Sequence, residues 1–369
     1  MTSPVTPPAS HREPAQILAI FAVALVALVA FVGAVLDGGN LYVQRRTAQI
    51  AADAATLAGT RALRFATAAS NTSVAQAICT YVNANAFGIT PAATAYFVGM
   101  DGATNVGAIS LPSGCSGTPA NTTIPNTASG VHVDTQIGPF STYLLGVVGV
   151  STLSAEAHAS AQVGLATGLK AGQTPPLAGC GDYMITAPQG AGTDILGGTG
   201  TAGDPYYVPR LASQLGGGAG GPNDFILQSS QMTQSQPTPP CPSIGGNSSW
   251  KGMIIPPASG TVTLPTSVPL DNGNTDADLA ATCLATGQPA PTNAPGVCRL
   301  LIPIAAGGVD VANLVAFACF DVYEGSNGTE KWRGVLVDGM QCPPYASTYT
   351  TTWTFGSNNG QGAKIMLTN

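Results

Sequence analysis

A chain of 369 residues with 12 basic and 18 acidic side chains carries a formal charge of -6, and Arg12, Arg45, Arg46, Arg61 and Arg64 place much of the basic charge within the first 64 positions. No basic surface remains for a phosphate backbone, which argues against nucleic acid as a partner. Charged residues are only 8% against 46 glycines and 29 prolines, the composition of an exported polypeptide rich in strands and turns and long enough for two domains.

The start, MTSPVTPPASHREP (1–14), is polar and contains several prolines, as a short tail would. From Ile17 to Leu36 the sequence ILAIFAVALVALVAFVGAVL has no polar interruption. At 1.5 Å per residue this is about 30 Å of helix, enough to cross a bilayer. A cleaved signal peptide is the competing reading, with Val32-Gly33-Ala34 as the cleavage site, but the run exceeds the usual core of about 7–15 residues. A retained transmembrane helix over 15–36 is therefore expected. Charge does not orient it, since Arg12 lies on one side and Arg45 and Arg46 near the other. All eight cysteines follow the helix, so the C-terminal part is expected outside the cell membrane and the tail in the cytoplasm.

Residues 37–63, DGGNLYVQRRTAQIAADAATLAGTRAL, continue as an alanine-rich helix. At helical spacing Leu41, Gln44, Ala48, Ala51, Ala55, Ala58, Ala62 and Phe65 share one stripe, mostly methyl groups. Each alanine buries little area, so the stripe gains stability only against a surface that comes very close and is itself made of small side chains. LSAEAHASAQV (153–163) is such a surface. Leu153, Ala155, Ala157, Ala159, Ala161 and Val163 alternate with Ser154, Glu156, His158, Ser160 and Gln162, the pattern of a half-buried strand with an alanine face. The helix is expected to lie on it. Arg45 and Arg46, about 13 Å beyond the apolar run, either touch lipid headgroups or an acidic partner or form a solvated face. Between helix and strand, Ser73 with Gln76 makes a capping box for a second helix that stops at Gly88. Residues 94–98 and 131–137 are candidate strands, and STYLLG (141–146) is a short helical turn.

The order of apolar anchor, DGGNLY (37–42), Arg45-Arg46 and QIAADAATLAG (49–59) resembles the N-terminal Tad domain of TadE/TadG-like proteins of the Flp (tight adherence) pilus system. STYLLGVVGVSTLSAEAHASA (141–161) is similar to the turn and alanine-rich strand that follow there. The resemblance covers about residues 14 to 165. It implies a single-pass anchored protein with an extracytoplasmic pilin-like domain, a structural or assembly component with no catalytic role and no cofactor. Its partners would be the lipid bilayer and other pilus or envelope assembly proteins. REPAQILAIF lacks the prepilin pattern of a cut after Gly with Glu five positions on. No D-x-S-x-S is present, so the metal-dependent adhesion site of a von Willebrand A domain is not implied.

GLATGLKAGQTPP (164–176) has a linker's composition, which divides the rest into a domain over 37–165, a linker over 166–176 and a β-rich domain over 177–369. Strand signals there are 253–255, 261–264, 314–324, 331–337, 348–355 and 364–369, with a turn at Asn327-Gly328. The cysteines contain no C-x-x-C pair, and there are only 3 histidines, which favours disulfides over zinc. Given that boundary, Cys79 can pair only with Cys115 inside the first domain. Cys180, Cys241, Cys283, Cys298, Cys319 and Cys342 then have about 15 connectivities, among which Cys283–Cys298 and Cys319–Cys342 close short loops. The expected fold is α+β: a single N-terminal transmembrane helix continuing into an Ala-rich helix packed on a small antiparallel sheet, followed by a disulfide-stapled, mainly β domain.

Candidate chemistry is sparse. Gly198, Gly200 and Gly203 have the spacing of a dinucleotide-binding turn, but Pro205 and Pro209 follow where a helix should open, and GGGAGG (216–221) repeats the spacing by composition. Asp271, Asp276 and Asp278 are the calcium candidate; Thr275 with Asp278 is better explained as a helix capping box. His132 with Asp134, and Glu156 with His158, sit two apart on strands and share a face, as an acid/base pair or a metal site requires, without a G-x-S-x-G nucleophile motif. Tyr349, Trp353 and Phe355 on one side of TYTTTWTF either stack on a sugar or form a core face. The alternative to a pilus component is a cell-surface binding module, an adhesin recognising a glycan or protein through its C-terminal β domain. A small-molecule ligand is not expected.

Overall fold

The computed structural model describes residues 13–66, 69–85, 91–170, 173–180, 224–229, 252–256, 261–271, 279–290, 298–305, 307–327, 330–337, 339–342, 346–355 and 363–368. Helix α1 (Glu13–Phe65) runs unbroken for 53 residues, about 80 Å at 1.5 Å per residue. Among the described residues it is the one helix long and apolar enough to cross a membrane. From Ile17 to Leu36 only Gly33 is buried, and side chains such as Phe21, Leu28 and Phe31 stand exposed. A continuous surface of that kind is suited to lipid.

After α1 come β1 (Ser70–Asn71), α2 (Ser73–Asn85), β2 (Pro91–Val98), β3 (Asn105–Ile109), β4 (Thr122–Thr123), β5 (Gly130–Ser141) and β6 (Thr152–Leu169). A 3-10 turn, Leu145–Val148, links β5 to β6. The antiparallel order is β6-β5-β2-β3, while β1 and β4 pair separately. α1 lies on the face of β5 and β6, and α2 packs on α1. The core between them gathers Leu63, Val74, Ile78, Phe97, Val131 and Trp353. The expected stop of α2 at Gly88 lies outside the described residues.

The chain continues with β7 (Gly179–Cys180), β8 (Asp224–Ser229), β9 (Val262–Thr263), β10 (Thr266–Pro269), α3 (Leu279–Ala285), β11 (Cys298–Ala305), β12 (Val311–Asn327), β13 (Glu330–Leu336), β14 (Ala346–Thr350) and β15 (Ala363–Thr368). A second sheet has the order β7-β11-β12-β13-β8, with β10 also on β12. Residues 317–323 of β12, FACFDVY, are buried without interruption. A central strand covered on both faces has a continuous apolar run rather than an alternating one. The one charge within 317–323, Asp321, takes a two-pronged contact from the cross-strand Arg299, at 2.6 and 2.8 Å.

Two expectations need correction. Residues 166–169, placed in a linker by composition, are the last four of β6, and Ala166 and Leu169 are buried in the second core with Leu300, Ile302 and Phe317. The segments 348–355 and 364–369 do not join the second sheet: β14 and β15 both pair with β6, as does β9. The reason is the length of β6. At 18 residues it extends well past the end of its pairing with β5 at Gln162, and the remainder would be an open edge. The strand expected to run to Phe355 also ends at Thr350.

Among the described residues, three disulfides tie loops to these elements. Cys79–Cys115 joins α2 to a 3-10 turn at a Cα separation of 4.9 Å, Cys283–Cys298 joins α3 to β11 at 5.8 Å, and Cys319–Cys342 joins β12 to the turn after β13 at 5.7 Å. Each constrains the unfolded chain by about 3–4 kcal/mol. Cys180 lies in β7, and Cys241 lies outside the described residues.

Candidate functional site

The site is the seat of α1 on its own sheet, together with the turn that grips α1 at the end of the apolar run. In the seat, Ala48, Ala51, Ala52 and Ala55 of α1 are fully buried, and Ala155, Ala157, Ala159 and Ala161 of β6 are buried in turn. The buried line is not the straight stripe drawn from helical spacing. Ala58 and Ala62 are half-buried, whereas Thr56, Gly59, Thr60, Leu63 and Arg64 are inside. The helix turns between two neighbours, the sheet on one side and α2 on the other. A Cβ on Gly59 would stand 2.8 Å from Ile78 Cγ1 of α2, so only glycine admits α2 at that level.

Hydroxyls carry the polar part of the seat. Thr56 Oγ1 donates to the Ala159 carbonyl at 3.1 Å, and Thr60 Oγ1 donates to the Ala161 carbonyl at 3.2 Å. From the sheet, Thr135 Oγ1 donates to the Ala48 carbonyl of α1 at 2.9 Å and also approaches the Ala157 carbonyl at 3.2 Å. Four residues of helix advance about 6 Å and two residues of strand about 6.6 Å, so Thr56 and Thr60 stay in step with alternate carbonyls of β6. Each buried bond of this kind is worth about 1 kcal/mol. Only small side chains between helix and strand let a threonine reach across. The signal was present in the sequence as two threonines four apart inside the alanine pattern, but a methyl-bearing residue there passes for another apolar position.

At the other end, Asp37 is 1% exposed and its carboxylate closes the β5–β6 turn. Oδ1 accepts from the Tyr143 N–H at 2.7 Å, and Oδ2 accepts from the N–H groups of Leu144 at 3.1 Å and Leu145 at 2.7 Å. Burial pushes the carboxyl up, but the Tyr143, Leu145 and Leu144 donors outweigh it and hold Asp37 below its ordinary value. One helical turn earlier, a Cβ on Gly33 would stand 2.7 Å from Leu144 Cβ. Gly33 and Asp37, four apart, thus form a notch and a clasp for the same turn. In the sequence Asp37 stands where the apolar run stops and opens the DGGNLY stretch, and neither fact points to a clasp.

The opposite face of the sheet brings together the four residues singled out for acid/base chemistry. Cross-strand register sets His158 opposite Asp134 and Ser160 opposite His132. Tyr96, His132 and His158 stack with ring centroids 4.5 and 5.7 Å apart. His132 Nδ1 lies 2.6 Å from Ser160 Oγ and Nε2 lies 3.2 Å from Asp134 Oδ1, while Gln136 donates to Glu156 at 2.8 Å. A cavity of about 290 Å³ beside them is lined by Thr94, Asp134, Gln136, Glu156 and His158. Hydroxyl, imidazole and carboxylate are therefore in line, but β6 is paired with both β5 and β15 around Ser160. Ladder bonds use the backbone N–H groups that an oxyanion would need.

The remaining candidates do not assemble. Trp353 is 1% exposed and sits in the first core with the Arg64 guanidinium 5.5 Å from its ring. It presents no face to a sugar, because the chain has left the strand by that point. Tyr349 is half-buried, with Lys364 Nζ 5.5 Å from its ring, and Phe355 packs against the first core. Arg45 and Arg46 are exposed. Asp271 is half-buried, while Asp276, Asp278 and both glycine-rich stretches lie outside the described residues. Among the described residues, no group of three or more His, Cys, Asp or Glu side chains is placed to hold a metal ion.

Residues 15–71 match the family model Tad, described as Flp pilus-assembly, TadE/G-like. The matched segment contains the apolar run, Gly33, Asp37, the exposed Arg45 and Arg46 and the whole helical side of the seat. No curated protein and no solved structure matches the chain.

Proposed function

We propose that the protein is a membrane-anchored, extracytoplasmic structural or assembly component of a Flp/Tad-type pilus, without catalytic activity. The observation that carries this reading is the coincidence between the family match over 15–71 and the rod-and-seat arrangement of α1. A rod that leaves the bilayer and seats on its own sheet with no intervening loop holds the folded part at a set height and angle above the membrane. A subunit that docks to envelope partners gains from that, because a tether would spend binding free energy on ordering the domain. Eight cysteines beyond the apolar run support an oxidising location for the C-terminal part, with the N-terminal tail in the cytoplasm.

The test is deletion of the gene combined with purification of the intact protein from membranes. Loss of surface pili, with co-purification of pilus assembly proteins, is the expected result. Normal piliation together with lost binding of a surface glycan would replace this reading with that of an adhesin.

A further inference from the structure

We propose that the β5–β6 loop, residues 142–150, is a second membrane-contacting element that sinks beside α1 into the acyl chains just below the lipid headgroups. The inference rests on the anchoring of α1 argued above and adds a lipid-binding surface to it. Three observations carry it. The first is position: Leu144 packs on Gly33, which lies three residues inside the end of the apolar run, about 5 Å below Leu36 along the axis. If α1 crosses the bilayer, the loop lies at the depth to which interfacial segments are buried, about 5–10 Å.

The second is chemistry. The sequence TYLLGVVGV contains no charge, Tyr143 is 73% exposed and Val150 is 41% exposed. Tyrosine at this height is the residue expected at a membrane–water boundary. On α1 itself no charged residue separates Asp37 from Arg45, so the basic pair stands about 12 Å above the clasp, among headgroups.

The third is the backbone, because a loop enters hydrocarbon at low cost only when its own N–H groups are satisfied. Those of Tyr143, Leu144 and Leu145 go to Asp37. Those of Thr142, Gly149 and Val150 go to the carbonyls of Ser151, Gly146 and Leu145, each at 3.1 Å, and the Thr142 hydroxyl donates to the Val150 carbonyl at 2.6 Å. Because Asp37 is 1% exposed, these three amides are satisfied without water, which leaves the loop able to enter the acyl chains.

The experiment uses the full-length protein in two sets of phosphatidylcholine vesicles, one with acyl chains brominated near the glycerol end, at the depth of the loop, and one with chains brominated near mid-bilayer, at the depth of Val26. Three single variants are compared with the unsubstituted protein: Tyr143→Trp in the loop, Val26→Trp in the middle of the apolar run, and Tyr81→Trp on the exposed side of α2. The expected result is loss of the added emission to bromolipid for Y143W and V26W, and quenching of Y81W by aqueous acrylamide alone. If V26W is quenched by bromolipid but Y143W is open to acrylamide, the loop stands in water and the proposal falls while the anchor stands. If Y143W is shielded from both quenchers, protein covers the loop, which also overturns it. If V26W escapes bromolipid, the anchoring itself fails and this inference fails with it.

Discussion

Replacing Ala52 by leucine separates the observed seat from the straight alanine stripe that helical spacing draws. Ala52 lies outside that stripe yet is fully buried, whereas Ala58 lies within it and is half-buried. Leucine adds three carbons in either case. At Ala52 they enter a space already closed by the sheet and its small residues, and forcing them in costs about 1–3 kcal/mol. At Ala58 they reach partly into solvent, and leucine is nearly as good a helix former as alanine, so the cost stays below about 0.5 kcal/mol. Thermal unfolding in detergent micelles, followed by circular dichroism, should show Tm falling by about 1–4 °C for A52L and hardly at all for A58L. Equal shifts, or a larger one for A58L, would refute the seat as described and restore the straight stripe.

The hydroxyl bonds predict that Thr56→Val and Thr60→Val each lower stability by about 1–2 kcal/mol in urea unfolding, since each leaves a strand carbonyl without its helix donor, while Thr56→Ser, which keeps the donor, retains most of the stability. Gly59→Ala places a Cβ 2.8 Å from Ile78 Cγ1 and should cost about 1–3 kcal/mol; the penalty should shrink in the background of Ile78→Ala, as a double-mutant cycle would show. Because the folded pKa of Asp37 is depressed, its contribution is complete above the ordinary carboxylate value and is lost as pH falls through the folded value. The protection of the amides of Tyr143, Leu144 and Leu145, measured as hydrogen exchange relative to the intrinsic rate at each pH, should fall in that acid range in the native protein, and Asp37→Asn should leave it low and without that pH dependence. A chain ending at Pro176 loses β14, β15 and Trp353, so it should not melt cooperatively like the intact protein; an unchanged Tm would show that β6 needs no partners from the C-terminal half.

The parts of the fold that are local in sequence were legible. A twenty-residue apolar run, an alanine pattern at helical spacing and a strict alternation over 153–163 each contain their own period, and α1 and β6 follow from them. Pairing partners are not local. The alternation in 348–355 and 364–369 fits either sheet, and what decides between them is the unfilled edge left by the length of β6, which no window around those residues contains. In β11 Pro303 interrupts the apolar run CRLLIPIA, yet a proline at one position does not prevent the flanking residues from pairing with β12. Thr56, Thr60 and Asp37 were hidden differently: their roles exist only once a carbonyl or a turn from about a hundred residues away is brought to them.

The same strand explains why the two halves of the chain act on one another. β6 offers its first part to α1 through Ala155, Ala157, Ala159 and Ala161, and its last part to the second core through Ala166 and Leu169. Over 18 residues it spans about 60 Å. A load applied to the second sheet therefore reaches the membrane helix through a single extended strand, its cross-strand ladder and the threonine bonds, with no flexible segment in series at that point. Shear along a ladder strains many hydrogen bonds together, whereas peeling a helix off a strand strains them one after another. The weakest link under tension is accordingly the seat of α1. There the methyl groups contribute little area, so resistance depends on Thr56, Thr60 and Thr135 and on the clasp at Asp37, which braces the helix at the end nearest the membrane.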